Sequence, residues 1–477
     1  MSNGEGPSRT NGVSGSEEEA PKGRVRRVSS LAGLTARTAG EAIAIGLRTK
    51  ATGTGDPEFH ERTAERYAML LGRSKGVLMK AGQMLSFMAD TPLASAEIQS
   101  VYQTALSRLN SNAPPMSAEL AREVLERDLG RPAKQAFAEL DWNPLAAASI
   151  GQVHAGRLHD GRAVAVKIQY PGAAQAIRSD LRNVELLATF FSLAFGIFPR
   201  LSFDLRAAAD ELGRRITEEL DYRREAANQT EFARHYRGHP FIHVPEVVHE
   251  LSTDRVLTQE LASGRNWSEA LESPAELRDQ WGETIYRFAY GSFARLGVVH
   301  ADPHPGNFIF HENGSVSFLD FGCVKRFSPA QIEACRATFR AAYLDNDPLR
   351  TWRAGTKAGL WGASDAIPPE EMFLVWREMR GYLLEEQPLT ITPAHVTKCF
   401  DCRFANAVRH MTASAEYTVM PRIEIGTLSL LAQLRATNDW QAVGGSELFD
   451  LERPSLTAMG RRHLAFFQRY SAREASR

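Results

Sequence analysis

His300-Ala-Asp-Pro-His-Pro-Gly-Asn307, followed closely by Phe318-Leu-Asp-Phe-Gly322, is the stretch whose reading decides the fold. Two segments flank a turn signal, Asn313–Gly314: Asn307–Phe310 before it and Val316–Leu319 after it. Apolar runs around an Asn-Gly pair predict a β-hairpin. A hairpin there would carry Asn307 and Asp320 at its two open ends and so bring them together. Both offer hard oxygen donors of the kind magnesium accepts, and Asp302 supplies a carboxylate beside them.

Outward from this block, Lys167 lies in Ala163-Val-Ala-Val-Lys-Ile-Gln169, a β-type run with apolar neighbours. Lysine is scarce in the chain, and a cation in such a strand needs a partner. Acidic candidates stand in Glu218-Glu-Leu-Asp-Tyr-Arg-Arg-Glu225, on a helical stretch reading from Ala173 to Tyr236. Periodicity leaves Glu218, Glu219 and Glu225 all open. A strand lysine, an acidic helix, an Asp with an Asn at i+5, and then Asp-Phe-Gly resembles the order of functional segments in protein kinases. Phosphoryl transfer asks little covalent help of a protein. It needs a carboxylate to orient the nucleophile and a metal to neutralise charge developing on the phosphates. Asp302 is the expected orienting base, Asn307 and Asp320 the expected metal ligands, and Lys167 the expected contact to the α- and β-phosphates.

Two features of ordinary protein kinases are missing. Where their glycine-rich flap stands, this chain has Pro144-Leu-Ala-Ala-Ala-Ser149, with glycine only at Gly151. Alanine restricts such a loop, because the positive φ that lets a glycine backbone close on phosphates is costly for a residue with a Cβ. After Gly322 no Ala-Pro-Glu follows, and a helical pattern begins near Ser328, so a peptide-docking platform is not expected.

With these departures the chain resembles the UbiB family of atypical kinases, also called AarF or ADCK, from about Arg73 to Arg409. Lys80-Ala-Gly-Gln83 resembles the family's KxGQ signature, and Ala146, Ala147, Ala148 and Ser149 its alanine-rich loop. Glu219-Leu-Asp221 is similar to its ExD motif, and Glu225 falls where its lysine-pairing glutamate lies. Gly151, where alanine is frequent, and Gln259, in the hinge segment Thr258-Gln-Glu-Leu261, depart from the pattern. The resemblance implies an α+β, two-lobed protein-kinase-like fold with an N-terminal helical extension packed over the active-site cleft. Lys80 and Gln83, at i and i+3, would share one helix face pointing inward. With Glu219 and Asp221 they are the expected regulatory residues. Nucleotide contacts are expected from the alanine loop, Lys167, Glu260 and Leu261, with Lys167, Glu225 and Asp302 as the catalytic set. The resemblance also implies ATP and Mg2+ as cofactors, ATPase rather than protein-kinase behaviour, and a place in isoprenoid-quinone biosynthesis. The partners it implies are a membrane lipid or quinone precursor and quinone-biosynthesis proteins.

The expected organisation is a disordered tail and basic, weakly amphipathic segment over 1–55, a helical extension bearing KxGQ over 56–135, and an N-lobe over 136–262. A helical C-lobe over 263–440 and a C-terminal tail over 441–477 complete it. Val244–Val248 and Val256–Leu261 read as further strands. Basic and acidic residues number 56 and 57, leaving no global field that would favour nucleic acid. The exception is Lys22–Lys50, whose only acid is Glu41; this stretch suits either an anionic membrane surface or a helix packed on the domain. No apolar run is long enough to span a bilayer, and Leu186–Phe198 reads as a buried helix. Four cysteines suit a reducing compartment, and Cys399-Phe-Asp-Cys402 lacks the further ligands zinc would need. The expected location is cytoplasmic, with peripheral attachment at the inner face of the cell membrane. Oligomeric state is not legible. Competing functions are a small-molecule kinase of the aminoglycoside or choline type and a nucleotide-regulated scaffold of a biosynthetic complex.

Overall fold

The structure is a computed structural model that describes residues 116–148, 150–175, 220–361, 367–398, 420–449 and 457–475. The expected positions Lys80, Gln83, Ser149 and Glu219, the basic stretch 22–50, Leu186–Phe198 and the Cys399/Cys402 pair lie outside the described residues.

The upper lobe begins with helix α1 (Ala118–Leu129), capped by Ser117, whose side chain accepts from the Leu120 amide, and closed by Gly130 at φ 66°. Its apolar positions Ala121, Val124 and Leu125 share a core with Val164, Val166 and Ile168 of the sheet. That sheet is antiparallel and comprises β1 (Glu139–Leu140), β2 (Ala146–Ala148), β3 (Gly151–Arg157), β4 (Ala163–Gln169) and β6 (Val256–Glu260). The expected alanine loop is thus itself a strand, with Ala147 opposite Gln152. Lys167 lies mid-sheet, between Val153 of β3 and Leu257 of β6.

Helix α2 (Tyr222–Tyr236) begins where Asp221 accepts the Arg223 and Arg224 amides. Its buried positions, Tyr222, Glu225, Asn228, Gln229, Phe232 and Tyr236 among them, recur at helical spacing and form one face. Phe232 and Tyr236 enter the core of the lower lobe, so α2 joins the lobes. The next strand is β5 (Ile242–His243), not Val244–Val248. Pro245 has no N–H to give a ladder, and β5 instead pairs parallel to β9, Ile242 opposite Val316.

The lower lobe is helical around one hairpin. Helix α3 (Ala275–Tyr286) continues in π-type geometry through Arg287–Leu296 into β7 (Val298–His300). The expected hairpin forms between β8 (Phe308–Phe310) and β9 (Val316–Phe318), turning at Gly314 with φ 79°. β10 (Val324–Arg326) pairs with β7, Val324 opposite His300. Helix α4 (Pro329–Arg340) starts in a capping box of Ser328 and Gln331, where the helical pattern was expected. Helices α5 (Pro348–Ala358), α6 (Pro369–Glu378), α7 (Met420–Leu434) and α8 (Ala458–Ala475) complete it. Val443, Leu448, Phe466 and Phe467 are buried in the same core. Among the described residues no helix is long and apolar enough to cross a membrane.

Candidate active site

Lys167 projects from β4 toward the N-terminal end of α2. Its Nζ donates to both Glu225 oxygens at 3.0 Å and to Asp320 Oδ2 at 3.2 Å. The lysine side chain is 14% exposed and that of Glu225 only 4%, whereas that of Asp320 is 38% exposed. Burial alone would push the ammonium toward neutrality. The charges of the Asp320 and Glu225 carboxylates, with a further contribution from Tyr222, more than reverse this, holding its pKa well above the ordinary lysine value. The Tyr222 ring centroid is 5.0 Å from Nζ, a cation–π contact. Of the three glutamates that periodicity left open, the structure places Glu225 on the lysine.

Gly151 explains its own departure from the alanine pattern. A Cβ there would stand 2.3 Å from the Ile168 carbonyl oxygen and 3.0 Å from the Tyr222 hydroxyl. Only glycine lets the first residue of β3 approach β4 this closely.

Asp302 lies in the turn after β7. Its carbonyl accepts from the His304 amide at 2.7 Å and from Asn307 Nδ2 at 3.1 Å, and its Oδ2 lies 3.4 Å from the same nitrogen. His304 supports this loop, accepting the Gly306 amide on Nδ1 at 3.1 Å. The Leu319 amide donates to the Asn307 carbonyl at 2.8 Å, so the hairpin ends bring Asn307 next to the Asp320 segment. Asp320 itself has φ 57°, a left-handed conformation that is costly for a residue with a Cβ. His300 Nε2 donates to the Asp320 carbonyl at 2.7 Å, and the Gly322 amide donates to Asp320 Oδ1 at 3.2 Å. Phe321 is fully buried between His300 and Phe232, with ring centroids 5.1 and 5.0 Å away.

Sequence reasoning missed one residue of this site. Arg422, near the start of α7, forms an ion pair with Asp302 Oδ1, each side chain 21% exposed. Glu424, two residues further along α7, forms a buried ion pair with Arg380. No spacing rule links positions 120 apart; only the tertiary fold brings Arg422 to the loop.

The other expected residues stand as follows. Ala146, Ala147 and Ala148 form β2 at the rim of the sheet. Asp221 caps α2. The Leu261 amide donates to the Ala163 carbonyl at 3.1 Å and the Glu260 amide to the Glu246 carbonyl at 2.9 Å, so neither N–H is open to a base. The Glu260 carboxylate faces His243, whose hydrogen bond holds it below the usual carboxylate range.

The donor set suits magnesium. With the Asn307 amide nitrogen turned to Asp302, its oxygen is the end that would hold a cation, and Asp320 presents a half-exposed carboxylate. One carboxylate and one amide oxygen are a sparse protein set, which magnesium completes with phosphate and water oxygens. Among the described residues no group of three or more His, Cys, Asp or Glu could hold a metal by itself.

Comparison with known proteins bears on the family and the fold. The profile of the ABC1 atypical kinase-like domain matches residues 108–349. The chain is 35% identical to the mitochondrial atypical kinase COQ8B of Rattus norvegicus over 65% of its own length and 58% of that protein. It is 31% identical to the mitochondrial atypical kinase COQ8 of Saccharomyces cerevisiae over 65% of its length and 60% of that protein. The chain thus spans little more than half the length of these curated relatives. Among solved structures, the Rv3197–erythromycin complex of Mycobacterium tuberculosis superposes with a TM-score of 0.60 at 31% identity. That match covers 85% of this chain and 100% of the other.

Proposed function

The chain belongs to the ABC1 atypical kinase-like family, and from that premise we propose that it binds Mg-ATP in the interlobe site and turns it over slowly in support of isoprenoid-quinone metabolism. The observation that carries this reading is the assembled cluster in which Lys167 joins Glu225 and Asp320 at 3.0 and 3.2 Å. Such a cluster sets a fixed cation where the α- and β-phosphates of a nucleotide would lie. Asn307 and Asp320 would hold magnesium, which when bound offsets charge on the phosphates. Asp302 would orient the attacking hydroxyl or water, and its loop is held by His304 and Asn307 for that task.

The Arg422–Asp302 pair favours restraint. An attacking group must compete with a guanidinium already bonded to Oδ1. This fits slow hydrolysis, and it also fits a second reading in which bound nucleotide mainly switches the protein as a scaffold. The alanine strand β2 and the helix that starts at Pro329 leave little to recognise a peptide acceptor. The link to quinones rests on the family resemblance.

The test is ATP turnover and Mg-ATP-dependent thermal stabilisation of the purified full chain, with and without anionic vesicles and quinone precursors. Asp320→Asn is the control. Magnesium-dependent stabilisation should be present in the wild type and lost in D320N; an unchanged shift would overturn the metal assignment. Stimulation by quinone precursors alone would favour the metabolic reading, and binding without turnover the scaffold.

A further inference from the structure

The inner face of α2 carries two polar side chains that the chemistry above does not use, Gln229, which donates to the Pro245 carbonyl, and Asn228, which reaches the metal-binding segment. Asn228 is 3% exposed. Its Nδ2 donates to the Phe321 carbonyl at 2.9 Å, and its Oδ1 accepts from Arg326 Nη2 at 2.9 Å. The two partners fix the amide orientation: turning it over would set oxygen against carbonyl and nitrogen against guanidinium. The bonded carbonyl is that of the residue after Asp320. His300 holds the Asp320 carbonyl itself at 2.7 Å. Successive peptide groups are therefore pinned, and they follow directly on the positive φ of Asp320. A backbone in that region persists only when its surroundings over-determine it.

Asn228 also sits one helical turn beyond Glu225 on the same face. Glu225 holds Lys167, and Asn228 holds the backbone that aims Asp320. We propose that Asn228 is a positioning residue for Asp320, coupling the placement of α2 to the affinity of the site for magnesium. This rests on Asp320 being the metal ligand. Arg326, which also pairs with Glu231 of α2, steadies the Asn228 oxygen from the opposite side.

The sharpest probe is Asn228→Asp. It keeps the size of the side chain and gives Arg326 a stronger partner, but replaces the donor facing the Phe321 carbonyl with an acceptor. Outer groups that orient a metal ligand commonly change metal affinity by about 10- to 100-fold. The expected result is at least a ~10-fold rise in the magnesium concentration that half-saturates nucleotide-dependent thermal stabilisation. ADP affinity measured in EDTA should stay within about 2-fold, since the metal-free contacts are untouched. Asn228→Ala, free of the acceptor–acceptor clash, should move the magnesium midpoint in the same direction. Arg326→Gln keeps the donor to Phe321 and should move it less than either.

A wild-type magnesium midpoint in both Asn228 variants would overturn the proposal. So would an equal loss of ADP affinity in EDTA, or failure of both variants to fold, since either would make Asn228 a general structural residue. If instead D320N retains the magnesium response of the wild type, the metal assignment fails, and that outcome is distinct from failure of the Asn228 coupling.

Discussion

Replacing Glu225 by Gln keeps the shape of α2 and removes one charge from the cluster around Lys167. Both oxygens of Glu225 accept from Lys167, and both side chains are largely withdrawn from solvent, at 4% and 14% exposed. Breaking a buried pair by neutralising one partner costs about 3–5 kcal/mol, because the remaining charge is left without compensation. Here Asp320 stays 3.2 Å away but is 38% exposed, so water screens it and it offsets only part of the loss. A net cost of about 2 kcal/mol follows, and at about 2–4 °C per kcal/mol in a large domain it corresponds to a fall in Tm of about 4–8 °C. The raised Lys167 pKa sets the pH behaviour. A group whose folded pKa lies above its unfolded value contributes fully below the unfolded value and loses that contribution only as pH rises through the folded one. The penalty should therefore be flat from about pH 6 to pH 9. Thermal melts of wild type and E225Q across that range, with Mg-ATP titrations alongside, test it. Equal melting temperatures with unchanged Mg-ATP affinity would refute the view that this pair holds the site together.

Arg422→Gln releases Asp302 Oδ1. A hydrogen bond to a charged group contributes about 1.5–3 kcal/mol, so turnover should rise roughly tenfold with the KM for ATP unchanged; a fall in turnover would show that Arg422 assists rather than restrains. Acid should loosen the contact between α8 and α2. Burial first, and then the neighbouring His463, push His239 down to about 2, while Glu447 acts in the opposite direction and Arg287 and Arg462 add to the depression. A histidine that is neutral when folded and ordinary when unfolded loses about 1.4 kcal/mol of stability per pH unit below roughly 6.5. Between pH 7.5 and 5.5 this comes to about 1.3 kcal/mol. His463, also pushed down by burial, has the same sign. Glu447 is held below the carboxylate range by His463, Arg295 and Arg287 despite its burial, and its contribution is lost at still lower pH. Melting as a function of pH checks this, and His239→Gln should flatten the slope between those two pH values.

The elements that the sequence discloses most clearly are those whose meaning is local. An Asn-Gly turn between apolar runs can hardly be anything but a hairpin, and it fixes where Asn307 and Asp320 meet. The β4 lysine is visible because its neighbours are apolar; its partner is not singled out by periodicity, and Glu225 comes only from the family resemblance. Glu218 and Glu225 are seven apart, so helical periodicity sets them on one face and cannot separate them. What the structure adds is the tertiary contact itself, Lys167 Nζ donating to both oxygens of Glu225 at 3.0 Å. Val244–Val248 looked like a strand by composition, yet Pro245 removes a donor and the register with β9 puts the pairing two residues earlier. Arg422 and Asn228 were unreadable for a different reason. Each acts on a partner far away in sequence, 120 and 93 positions, and neither belongs to a local pattern.

The seat of α2 has a consequence for synthesis. His235 bonds Tyr470 at 2.8 Å, His239 bonds His463 at 2.9 Å, and Tyr236 meets the edge of Phe467. A ribosome releases the residues of α2 more than two hundred codons before those of α8. Until then the lower half of the helix that carries Glu225 lacks one wall. Lys167, Asn307 and Asp320 will all have left the exit tunnel by that time, yet the helix that aligns Glu225 with them is not fully seated. Nascent chains and products of early termination should therefore be poor nucleotide binders, and competence should arrive late, with the emergence of α8.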